Sequence, residues 1–202
     1  MEYWLASTPW YGMILWIILY TSDYYLTIYS ARGFREIGHF QFEDSFELTP
    51  QFQKDINALK PVSKLHVIAL VLYSLLILFI WWLTKSLLTF PWTYLAYLLY
   101  LGMFLLLEVA VHFRHLRNVS LIREIKKSGG VEGQIFHRKW FSYRISASEF
   151  YRFAIFFLII AVMYFSPFFL GGALMCLGTG IKHNRLAKKA KSTALQTAEV
   201  QS

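Results

Sequence analysis

The charged residues of this chain stand apart from its long apolar blocks, and nineteen of its twenty Lys and Arg fall to one side of those blocks. Apolar runs of 18 or more residues read as membrane spans. The side that carries Lys and Arg reads as cytoplasmic. Every other feature has to fit inside that frame. Composition agrees: only 16% of residues are charged, where soluble domains average about a quarter. The net charge of +8 is therefore read as membrane topology, with no nucleic acid as partner.

Spans are expected at 9–31, 65–84, 91–114, 149–165 and 167–182. Thr8 is placed to cap the first, with Pro9 in its first turn and Gly33 suited to a left-handed exit. The short turn from Lys85 to Phe90 makes the second and third spans antiparallel neighbours. The block from Phe150 to Ile181 would measure ~48 Å as one helix, against a hydrocarbon core of ~30 Å. Ser166-Pro167 reads as a cap followed by proline at the first helical position, which divides the block in two. The alternative is four spans, the last long or kinked. Charge favours five, because the 32–64 loop, the 114–152 segment and the tail then share a side with five, nine and five Lys/Arg.

The expected fold is thus an all-α polytopic integral membrane protein of five helices. It forms a single domain over 1–191, with a disordered tail over 192–202. Its N-terminus is expected outside and its C-terminus in the cytoplasm, in the cytoplasmic membrane of a prokaryote. The start, Met1-Glu2-Tyr3-Trp4, has no basic segment, so the first block is expected to be retained. Thr49-Pro50 begins a short helix whose Phe52, Ile56 and Leu59 share a face, as in an amphipathic helix at the headgroups. Phe141, Tyr143 and Ile145 alternate with polar residues like a short strand, and Ser146 to Glu149 reads as a capping box. Gly171, Gly172, Ala173, Gly178 and Gly180 should let the last helix approach its neighbours, within the chain, in a homo-oligomer or against another membrane protein.

Ionisable groups inside spans are costly and so mark candidate sites. Asp23 shares a helical face with Thr27 and Ser30; Glu108, His112 and His115 follow i, i+4, i+7 on the third span. By helical rise, Asp23 sits ~12 Å and Glu108 ~9 Å above the inner ends of their helices, so the two carboxylates are able to meet. His112, Arg152, a proton or a metal would then balance them. Glu108, His112 and His115 are candidate ligands of a divalent metal, with Asp23 or His66 needed to complete the set. Against this stands a simpler account, in which the polar groups lock the helices together. Cys176, the lone cysteine, is expected to be packing. Basic clusters around Arg114 to Lys127 and Lys182 to Lys191 suit anionic lipid headgroups.

Three functions follow. The first is a non-enzymatic accessory or assembly component held together by the polar network. The second is a small cation- or proton-coupled carrier using Asp23 and Glu108. The third is an intramembrane metal-dependent enzyme using His112 and His115. No phosphate-binding glycine loop, nucleophile elbow or His-Glu-x-x-His is present to favour a familiar enzyme class.

Overall fold

A computed structural model describes residues 2–201, with side chains over 2–196. The described residues form seven helices: α1 Tyr3–Ser7, α2 Pro9–Ile37, α3 Pro50–Asn57, α4 Lys64–Leu87, α5 Trp92–Ser128, α6 Lys139–Tyr164 and α7 Pro167–Gln201. The fold is all-α apart from one parallel pairing of β1 (Phe40–Phe42) with β2 (Ile135–His137). Of the expected tail, 192–201 continues α7 as helix, and Ser202 lies outside the described residues.

Three helices, α4, α5 and α6, are long and apolar enough to cross a membrane. Only 6% of the apolar window of α4 is buried inside the protein. Leu65, Ile68, Val71, Leu72, Leu75 and Phe79 all point outward from it. An apolar surface of that extent suits hydrocarbon rather than water.

The helices alternate in direction. Trp81 near the end of α4 donates to the Ala6 carbonyl, while His66 near its start stacks on Tyr20 and Tyr24, so α4 runs antiparallel to α2. Gly12 of α2 faces Leu101 of α5 and Gly33 faces Ile122, so α2 and α5 run parallel. The α6–α7 turn is set by Phe165 in the left-handed region (φ 48°) and by the Ser166 hydroxyl, which accepts the Phe169 N–H. Such a cap stabilises a helix start by ~1 kcal/mol. At this end of the bundle Trp10, Trp82, Phe90, Trp92, Tyr164 and Phe165 are exposed, as aromatic residues are at a membrane interface.

Several boundaries differ from expectation. α2 does not end at Gly33; it runs to Ile37, and Gly38 (φ 73°) ends it. Gly33 instead gives Ile122 room to approach the helix. The Thr8 side chain makes no capping hydrogen bond. The strand and capping box proposed before the fourth span are helix, because α6 begins at Lys139. Tyr143, Ser146, Ala147 and Phe150 all face inward on it, and a 3.6-residue period wins over a five-residue alternation. α3 forms at Pro50, but Ile56 is buried with Phe52 and Leu59 against Tyr24, Ile28 and Ala31 of α2. Its apolar face is used inside the protein.

The small residues of α7 make its crossing with α5 very close. A Cβ at Gly102 would fall on the Phe168 carbonyl, and one at Gly171 on the Leu99 carbonyl. Gly178 differs from the rest of this stripe, because nothing lies within 4 Å of its missing Cβ.

Candidate functional site

The parallel packing of α2 and α5 decides the site. It brings Asp23 to the level of Glu108 and His112, as equal depth along two helices demands. One ligand atom from each of Asp23, Glu108 and His112 lies within 4.8 Å of the others. Asp23 comes from α2, and Glu108 and His112 from successive turns of α5, so two helices rather than one surround the point.

The histidine tautomer follows from its neighbours. His112 Nδ1 lies 2.7 Å from the carbonyl oxygen of Glu108, which only accepts, so Nδ1 carries a proton. In the neutral ring Nε2 then keeps its lone pair. Nε2 faces the Ser22 hydroxyl at 2.7 Å, which also has the Leu19 carbonyl within reach at 3.0 Å. A backbone carbonyl that holds the protonated ring nitrogen is the usual arrangement behind a metal-ligating histidine, and a metal on Nε2 would displace the Ser22 hydroxyl from it.

His115, one turn further along α5, plays a different part. Its Nε2 is hydrogen-bonded to Thr27 Oγ1 at 3.1 Å. Asp23 Oδ1 is also 3.1 Å away, but without the alignment of a hydrogen bond. Glu108 is 8% exposed and its Oε2 has no hydrogen-bond partner among the described residues; Asp23 Oδ1 and His66 Nε2 lack one as well. Unsatisfied buried polar atoms are rare in folded proteins. Among the described residues, Trp16 Nε1 and His115 Nδ1 lack a partner too, which puts five such atoms on one wall.

That wall belongs to a cavity of about 550 Å³. Trp16, Tyr20, Tyr73 and Phe104 form its apolar side, and Glu47, Arg114, Lys182 and His183 bring charge and hydrogen-bonding groups to it. Beyond it, towards α1, Leu5, Trp16, Ile77, Tyr97, Leu98 and Leu101 pack into a closed core. The cavity lies between this plug and the end of the bundle where β1 pairs with β2.

Five of the six residues expected in the polar network meet here: Asp23, Thr27, Glu108, His112 and His115. Arg152 does not. It is exposed in a groove of α5 and α6 with Phe113, Arg117 and Glu149, the last of which pairs with Arg117. The close set substitutes Asp23 for His115 among the expected metal ligands. Sequence reasoning missed Ser22, whose small hydroxyl is silent without a fold. It also placed Arg114 in a basic cluster at the lipid headgroups, whereas the side chain is half-buried on the cavity wall. Comparison with protein families, with curated proteins and with solved structures found no match.

Proposed function

We propose that this chain is a five-span protein of a prokaryotic cytoplasmic membrane that binds a divalent cation in a cytoplasm-facing cavity. Asp23, Glu108 and His112 supply the ligands. The observation that carries the reading is the buried Glu108 Oε2, unbonded beside Asp23 and His112 within 4.8 Å. A network built only to lock helices would satisfy its own members, because an unpaired buried group weakens the lock. This set instead brings one ligand atom from each of three residues within 4.8 Å of the others and leaves Glu108 Oε2 unbonded. Two carboxylates and an imidazole suit Mn²⁺, Fe²⁺ or Zn²⁺. Alternating helix directions and the exposed aromatic residues at one end support the five-span topology. The closed core beyond the cavity supports access from the cytoplasmic side.

The test is a Mn²⁺ titration of the detergent-purified chain beside Glu108→Gln and His112→Ala. About one Mn²⁺ per chain is expected, with binding weakened at least ~100-fold in either variant. Wild-type protein that takes up no Mn²⁺, Fe²⁺ or Zn²⁺ while eluting as a folded species would overturn the proposal and return these residues to a structural role.

A further inference from the structure

The same cavity carries two cations alongside its three carboxylates. Arg114 from α5 and Lys182 from α7 both line it. Among the described residues, neither has a carboxylate within 4.0 Å. Arg114 donates one hydrogen bond, from Nη1 to Ser146 Oγ at 3.0 Å, and its guanidinium lies 5.8 Å from the Phe150 ring. The remainder of its donor fork has no partner among the described residues. His183 Nδ1 is held 2.9 Å from the same Ser146 hydroxyl, which braces the guanidinium from the α7 side. The one other carboxylate on the wall, Glu47, is engaged with the Thr49 N–H at 2.6 Å.

A divalent cation on Asp23 and Glu108 would cancel their charge and leave Arg114 and Lys182 facing Glu47 alone. Two cations against one carboxylate leave room for an anion. A guanidinium fork, an ammonium and a metal together can meet three terminal oxygens of one anion. The apolar wall of Trp16, Tyr73 and Phe104 has no use for a bare ion. It suits a hydrocarbon part attached to one.

We infer that the cavity binds a phosphate monoester, with one oxygen on the metal held by Asp23, Glu108 and His112 and the others on Arg114 and Lys182. The inference rests on the cation reading. Its source is either a lipid headgroup reaching in from the inner leaflet or a soluble phosphate from the cytoplasm.

The experiment uses the full chain in detergent, in two titrations. Mn²⁺ is added first, which reports on the cation site alone. Dihexanoyl phosphatidate and inorganic phosphate are then titrated separately into the Mn²⁺-loaded protein. One phosphatidate per chain is expected. Arg114→Gln and Lys182→Gln should each weaken it about tenfold or more, while their Mn²⁺ affinity stays within about twofold of wild type. Lys182 is exposed, so its variant folds even where Arg114→Gln does not, and Arg114→Lys should recover part of the affinity. Phosphatidate binding at least tenfold tighter than phosphate assigns the lipid source, and equal binding assigns the soluble one; both uphold the inference. Wild-type protein that takes Mn²⁺ but neither anion overturns the inference and leaves the cation reading standing. Failure in the first titration overturns both. Phosphatidate binding unchanged by chelator, or by both variants, overturns the metal-bridged site.

Discussion

Glu108 tells a binding site from a structural lock by the sign of one effect. Its Oε2 is buried and unpaired, and leaving such an acceptor unmade costs ~1–3 kcal/mol. Glu108→Gln replaces a carboxylate with an amide that has its own donors for Asp23. In metal-free protein the substitution should therefore raise Tm by about 2–6 °C, while Mn²⁺ binding is lost. A Tm that falls would make the carboxylate part of a lock. Thr27→Val should behave in the opposite way. It removes the aligned partner of His115, both residues being 3% exposed, and should cost ~1 kcal/mol of stability with Mn²⁺ binding retained. His137 offers a separate test outside the membrane. It packs against Phe42 at 5.2 Å, and burial holds its pKa below the usual 6.5. The undocked strand takes up a proton more readily than the docked one, so the β1–β2 pairing is at full strength above pH 6.5 and weakens as pH falls below it. Hydrogen-exchange protection at 40–43 should drop between pH 7.5 and 5.5. His137→Phe should flatten that slope.

Helix crossings are where the glycines act, and they do not act alike. Gly102→Ala and Gly171→Ala each drive a methyl into the backbone of the opposing helix. Backbone has no rotamer with which to give way, so each should cost ~3 kcal/mol or more and appear as lost folding yield. Gly178→Ala meets open space and should gain up to ~1 kcal/mol from helix propensity. Thermal aggregation of the three variants in one detergent checks the contrast. Glycine spacing in the sequence pointed to close approach, but could not say which positions face a helix and which a cavity. The same limit explains the other misreadings. α6 was mistaken at its start because Ser146 and Ser148 look like caps, and only the burial of Tyr143, Ser146, Ala147 and Phe150 on one face reveals the helix running through them. The meeting of Asp23 and Glu108 was legible, because depth in a span is fixed by helical rise. Arg114 was not, because an arginine at the end of an apolar run looks the same whether it faces water or a cavity.

For the molecule as a whole, the Ser166–Pro167 break determines on which side the tail ends. α6 and α7 form an antiparallel pair: Phe157 of α6 meets Phe169 of α7, and Tyr151 meets Gly180. If both helices cross the bilayer, Lys182, Arg185, Lys188, Lys189 and Lys191 join the other basic segments. If they form a single crossing, those five cations stand with Lys85, against the charge rule. Lys85 is a mild exception to that rule, since its ammonium lies 5.0 Å from the Trp81 ring, where an aromatic face offsets some of its charge. The native cysteine makes the topology simple to read. Cys176 is fully buried, so it should not react with a charged maleimide. Ser86 and Ser192 are both exposed, at the end of α4 and in the basic tail. In spheroplasts, Ser86→Cys should be labelled at once by a membrane-impermeant maleimide, and Ser192→Cys only after permeabilisation. Labelling of both from outside would place the tail across the membrane and reduce the spans to four. It would also leave the α7 side of the cavity, with Lys182, facing the wrong compartment for a phosphate drawn from the cytoplasm.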